Sequence, residues 1–161
     1  ELWSLLMVHH QGLDLPLYTL KSEATLTYER WLNRRIKDDG AWVLVAEMDQ
    51  RIVGYILAMV GYRSPVYSQR TVGMICDISV MPNFSRRGVG SELVNQVLLA
   101  FLNEDVDCLQ VNYDHQNEAA SQFWMKMGFR PRLVEAYRQL RVPADTAPVE
   151  AIDESRFSCE N

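Results

Sequence analysis

Apolar and polar residues change period several times along the chain, and each change marks an element. Leu2, Leu5, Leu6 and His9 recur at helical spacing and predict a helix over 1–11, ended by Gly12. After a loop over 13–20, Ser22 is placed to cap a second helix over 23–38, with Tyr28, Trp31 and Leu32 inward and Asp39-Gly40 as its stop. The pattern then reads as strand. Segments 42–46 and 52–59 form a strand pair joined by a tight turn at Asp49-Gln50, and Gly54 marks a bulge. A polar, aromatic loop over 61–70 leads into a central strand with β-favouring Ile75, Ile78 and Val80. Pro82 ends it, because proline has no backbone donor. From Ser91 the period returns to helical: Leu93, Val94, Val97, Leu98 and Phe101 share one face, up to about Asn103. A further strand over 106–113 points Leu109 and Val111 to one side. Asn117 is placed to cap a helix over 118–127, which Gly128 stops. Two last strands are predicted over 129–133 and 136–142.

The junction of the central strand and the helix after it carries the chemistry. Between them lie Ser85, Arg86, Arg87, Gly88, Val89, Gly90 and Ser91. Gly88 and Gly90 let the backbone turn tightly and approach a ligand. The first amides of a helix have no intrahelical partner and carry partial positive charge, and two arginines add full charge there. Such a junction suits a phosphate, or else it is a plain strand-to-helix turn with solvated arginines. A nucleoside-triphosphate loop requires Gly-Lys-Ser/Thr, whereas Gly90 is followed by Ser91-Glu92. A dinucleotide fingerprint requires a third glycine, and that position is Leu93.

The run Arg86-Arg87-Gly88-Val89-Gly90-Ser91 resembles the acyl-CoA pyrophosphate loop of the GNAT superfamily of N-acetyltransferases, with Ser85 departing from its leading Gln/Arg. A second stretch carries the same resemblance. Asn117, Ala120, Phe123, Lys126, Gly128 and Phe129 match the family's next motif, and only its tyrosine differs, being Trp124. The resemblance implies a mixed α/β fold: a central, mostly antiparallel sheet with one parallel, splayed strand pair, flanked by about four helices. It covers residues from about Trp3 to Val142. A family-like strand is expected before the first helix, so a leading strand is suspected to be missing from this sequence.

The resemblance also implies a reaction: transfer of an acetyl group from acetyl-CoA, as co-substrate, to a primary amine by direct attack in a ternary complex. The pantetheine arm would lie in the splay, held by the backbone of Ile78, Ser79 and Val80, one amide of which faces the thioester oxygen. Arg86, Arg87, Gly88, Val89, Gly90 and Ser91 would seat the diphosphate. Asn117 would hydrogen-bond the arm. Lys126 either reaches a phosphate or is a solvated helix lysine. Trp124 either lies against the cofactor or is a core aromatic; its indole has no proton to give departing CoA. Asp77 is the catalytic candidate, because a carboxylate inside a sheet is costly without a task or partner. It acts as the base, or else it only orients backbone amides or pairs with an arginine. His9, His10, Asp14 and Tyr18 fall in the region that often lines the acceptor pocket. Trp124 and Ser85 motivate an alternative, a catalytically weak acyl-CoA-binding regulatory module.

Composition narrows the partners. One domain is expected from 161 residues, assigned to 1–142, with an acidic, flexible tail over 143–161. That tail carries five acids against Arg156, most of the net charge of −5. A pI near 5.2 argues against a nucleic-acid partner, and no apolar run approaches a membrane span. Three scattered cysteines, Cys76, Cys108 and Cys159, suggest a reducing compartment and a cytoplasmic location. Cys76 is read as a small buried hydrophobe. No metal site is expected, since no cysteine stands near His9 and His10. The amine acceptor is left open between a small molecule and a protein amine, and a homodimer is possible on family grounds.

Overall fold

The computed structural model of the chain describes residues 1–138 and Leu140. Its elements are α1 (Leu2–Leu13), α2 (Ala24–Arg35), β1 (Ala41–Met48), β2 (Arg51–Tyr62) and β3 (Thr71–Val80), a 3-10 turn Pro82–Phe84, then α3 (Val89–Leu102), β4 (Cys108–Val111) and α4 (Glu118–Lys126). The strands form one sheet in the order β1-β2-β3-β4. β1/β2 and β2/β3 are antiparallel, and β3/β4 are parallel. This mixed α/β architecture is the one the sequence implied.

β2 is apolar on both faces, which explains its interior place. Ile56 and Ala58 join Ile75 of β3, Leu93, Val94, Val97 and Phe101 of α3, and Trp124 of α4 in the main core. Val53, Tyr55 and Leu57 alternate with them and are buried on the other face, where α1 lies along β3 and α2 along β1. Each buried aliphatic contributes about 1.5–3 kcal/mol. A strand filled on both faces is therefore held more strongly than an edge strand.

Two register breaks shape the sheet. Ala46 faces Gly54 but Glu47 faces Ile52, so Val53 is bulged beside Gly54. A side chain on Gly54 would meet Ser79 O and Val89 Cγ1 at 3.2 Å and Leu93 Cδ1 at 3.3 Å, so this glycine lets α3 begin close against the sheet. On β3, Leu57 faces Asp77 and Ala58 faces Ile75, which leaves Cys76 as the extra residue. A bulge inverts the alternation of side chains. Ile75, Ile78 and Val80 thereby point into the main core, and Asp77 and Ser79 point to the α1/α2 face.

Several local expectations are corrected. α1 runs through Gly12 to Leu13 and stops where Asp14 turns extended; one exposed glycine costs a helix only about 1 kcal/mol. Ser22 does not cap α2. Ala24 N–H bonds Lys21 O instead, and the flanking Glu23 makes no capping bond. α2 ends at Arg35, where Arg35 pairs with Asp38 at 2.8 Å. The Asp49-Gln50 turn is present with φ of 50° and 61°, the primed geometry of tight hairpins. The predicted strand over 129–133 is not formed, nor is any strand at 136–138 or Leu140. Phe129 packs edge-on against Trp124, but after it Leu133, Val134, Tyr137 and Leu140 stay 66–96% exposed. Pro131 withholds a donor there, and β4 offers an edge only four residues long. The rest of 136–142, the expected boundary at 142 and the tail over 143–161 lie outside the described residues. Among the described residues no helix is long and apolar enough to cross a membrane.

Candidate active site

The parallel pair is short. β3 and β4 are in register only from Val72↔Cys108 to Ile75↔Val111. Past that point β3 continues through Val80 with no strand beside it on the β4 side among the described residues, so the sheet opens there. A cleft of about 150 Å³ at the fork is lined by Met74, Ile75, Cys76, Gln110 and Asn112. Ile78, Ser79 and Val80 form the β3 wall of the opening. Ser79 is 9% exposed, and Ile78 and Val80 turn their side chains to the core.

The glycine-rich loop stands at the end of the same wall. Arg86 has φ of 59° and Gly88 has φ of 86°, so two residues of the loop are left-handed, the backbone hand that occurs in anion-binding nests. The first turn of α3 closes with Glu92 N–H to Gly88 O at 2.9 Å, which leaves the amides of Val89, Gly90 and Ser91 outside the helical ladder. Arg86 and Arg87 are exposed, and the Arg87 guanidinium lies 5.4 Å from the centre of the Phe84 ring. A side chain at Gly90 would meet the Phe123 ring at 3.6 Å and Val80 at 3.8 Å, ordinary contact distances. The protein's own packing does not require glycine there.

α4 borders the opening from the other side. Asn117 caps it, accepting Ala120 N–H on Oδ1 at 2.9 Å. Its amide Nδ2 then donates to His9 Nε2 at 2.9 Å and ties α1 to α4. Trp124 is 3% exposed, edge-on to Phe123 and Phe129, so its ring is core packing. Lys126 is exposed on the last turn of α4.

Asp77 lies on the α1/α2 face beside the opening. Its Oδ2 accepts the Tyr28 hydroxyl at 2.6 Å, and Tyr28 and Tyr55 share a hydroxyl contact at 3.3 Å. Burial pushes the Asp77 carboxyl above its ordinary 3.8, against the lowering effect of the Tyr28 hydrogen bond, His10 and Tyr55. Burial and the Asp77 carboxylate push both tyrosines well above the ordinary phenol range, so they stay protonated. His10, on the last turn of α1, has its pKa lowered by burial and by His9, against the raising effect of Asp77 and Asp114. Its ring lies 4.8 Å from that of Tyr18. Tyr18 donates to Asp114 Oδ2 at 3.2 Å; burial and that carboxylate push its phenol up to about 12. Asp114 is 6% exposed at the side chain and also accepts Gln116 N–H at 2.9 Å. Cys76 turns its sulfur back toward Met74 O at 3.6 Å, and partial desolvation of that inward-turned sulfur, with Asp77 beside it, pushes the thiol up to about 11, although the residue as a whole is exposed. The cysteine is exposed, contrary to the buried place expected for it.

The site thus gathers Asp77, His10 and Tyr18 from the expected residues. Asp14 stays outside, its carboxylate accepting Leu17 N–H at 3.1 Å in the loop. Tyr55 and Asp114 were not foreseen, and Tyr28 was foreseen only as inward-facing. The available signals were a hydroxyl amid the aliphatic run of β2 and an acid just past the end of β4.

The model of the acetyltransferase (GNAT) family matches residues 8–129. An uncharacterized N-acetyltransferase of Archaeoglobus fulgidus is 28% identical over 135 residues, 83% of this chain and 80% of that protein. Among solved structures, a variant of the BH1408 protein of Bacillus halodurans superposes with a TM-score of 0.77 at 19% identity, over 87% of this chain and 90% of its own. The aminoglycoside N-acetyltransferase AAC(6')-Iy, solved in complex with CoA, superposes with a TM-score of 0.60 at 20% identity, over 69% of this chain and 87% of its own. These structural likenesses speak for the fold. The family match spans the chain from the last turns of α1 to Phe129 and takes in both glycine-bearing motifs. The chain belongs to the GNAT family of acetyltransferases.

Proposed function

We propose that this chain transfers the acetyl group of acetyl-CoA directly to a primary amine. The observation that carries the reading is the opening of the sheet after Ile75↔Val111, with the glycine loop at its end and Asp77 at its side. An amide-bearing arm laid in the opening takes the place of a strand beside Ile78, Ser79 and Val80. A backbone amide of that segment then donates to the thioester oxygen as charge develops on it. The amides of Val89, Gly90 and Ser91, with Arg86 and Arg87, seat the diphosphate. Lys126, exposed on the last turn of α4, serves a phosphate from there. Asn117 serves the arm only by giving up its bond to His9.

The acceptor arrives as an ammonium ion, since alkyl amines titrate near 10. Asp77 pairs with it and takes one proton. The neutral nitrogen forms the C–N bond as the C–S bond breaks. The sulfur leaves as thiolate, which is stable enough with a pKa of about 8.5 to depart without an acid. It then takes the second N–H proton, and the proton on Asp77 passes to water. Amide, free thiol and one proton result. This removes the need for a proton donor at Trp124. Small-molecule amines, aminoglycosides among them, are the first acceptors to try, because several structural neighbours are aminoglycoside acetyltransferases.

Gly90→Ala separates ligand from fold. Alanine favours the helix and meets only ordinary contacts, so the melting temperature holds or rises. Calorimetry should show CoA affinity weakened about tenfold or more, on the order of 1.4 kcal/mol. An absence of CoA binding by the natural protein, or equal binding by the variant, refutes the reading. Tight CoA binding with no thiol release from any amine would favour a binding module instead.

A further inference from the structure

We propose that Tyr28 is a positioning residue of the reaction: its hydroxyl, donated to Asp77 Oδ2, fixes the carboxylate that meets the amine. The inference rests on the reading of Asp77 as the base.

The geometry is specific. Tyr28 comes from α2 and reaches Asp77 across 49 positions of sequence at 2.6 Å. Its ring is clamped. Trp3 of α1 stacks on it at 4.4 Å and 11°, and Trp31 lies against it at 5.7 Å. Tyr55 backs the hydroxyl from β2 at 3.3 Å. The groups that face Asp77 are therefore Tyr28 from α2, Tyr55 from β2, His10 from α1 and the adjacent Cys76. Among the described residues no lysine or arginine forms an ion pair with it. Burial drives the carboxyl to keep a proton, and the Tyr28 hydroxyl opposes that more than any other group. A carboxyl that already holds a proton cannot take one from an ammonium ion. Tyr28 itself stays protonated, so it acts as a fixed donor and moves no proton.

Tyr28→Phe keeps the ring between Trp3 and Trp31 and removes only the donor. With carboxyl-labelled aspartate, a carbon-13 titration of the ligand-free variant should move the Asp77 midpoint up by about one pH unit or more. The acid limb of kcat/KM, measured with acetyl-CoA and the fastest amine of the panel, should move up equally, so that activity recovers as pH rises. A purely structural role would lower the rate by one factor at every pH. p-Aminophenylalanine at position 28 restores a donor and should restore the profile. It also gives a second readout if the phenylalanine variant folds poorly. An unmoved midpoint, or a moved midpoint with an unmoved limb, overturns the assignment of Tyr28 while leaving Asp77 as the base. Natural turnover by Asp77→Asn overturns both.

Discussion

Asp77→Asn is expected to lower amine-dependent thiol release by about 10²- to 10⁴-fold, the usual contribution of a general base. CoA affinity should change little, because the glycine loop proposed to seat the diphosphate lies at the end of the opening, beyond Val80. The same substitution should raise thermal stability at neutral pH. The folded-state carboxyl sits above its ordinary 3.8 because of burial. Below that ordinary value the group is protonated in both folded and unfolded chains, and its burial is free of this penalty. As pH rises through the raised folded value, the folded state must hold a buried negative charge, and stability falls. Asparagine removes that charge. The gain in melting temperature over the natural protein should vanish in strong acid, grow with rising pH and level off above the folded value. A variant that melts lower at neutral pH, or a gain that shrinks as pH rises, contradicts this account. An enzyme that is more stable without its base is storing folding energy at the site.

Gly73→Ala is expected to be the most damaging single methyl in the described fold. Alanine in place of glycine at a strand position normally stabilises, by limiting the unfolded chain. Here the added carbon would lie 2.4 Å from Leu109 Cδ2 and 2.9 Å from Phe101 Cε2. Leu109 is only half-buried, and the far end of its flexible side chain can shift. Phe101 is 3% exposed and set edge-on against Trp42 at 4.6 Å, so its ring has nowhere to go. Gly73 also pairs with Leu109 in the short parallel register, so relief must come from parting β3 and β4. The cost should be about 2–3 kcal/mol. For a chain of this size that lowers the melting temperature by roughly 5–10 °C. CoA binding should weaken as well, since the shifted pair forms the root of the opening. Unchanged melting would show that the contact at Phe101 is softer than the structure implies.

The parts of this protein that were legible in the residues are those settled within a few positions of chain. The face of α3 follows from the spacing of Leu93, Val94, Val97 and Phe101. The left-handed turn at Gly88 and the cap at Asn117 depend on one residue and its near neighbours. With both motifs read, the family and the mixed sheet with its parallel pair followed. What the chain alone could not settle is everything that depends on register between distant segments. Whether Asp77 faces the main core or the α1/α2 face is decided by one bulged residue, Cys76, and a bulge exists only relative to the partner strand β2. The donor to Asp77 comes from α2, and the lock on Tyr18 comes from beyond β4, because tertiary packing set those helices and loops over the opening. The same cause undid the last predicted strands. Residues 129–133 follow α4 where a strand was expected, but Pro131 withholds a donor, a strand is stabilised by its neighbour, and the short edge of β4 supplies too little of one.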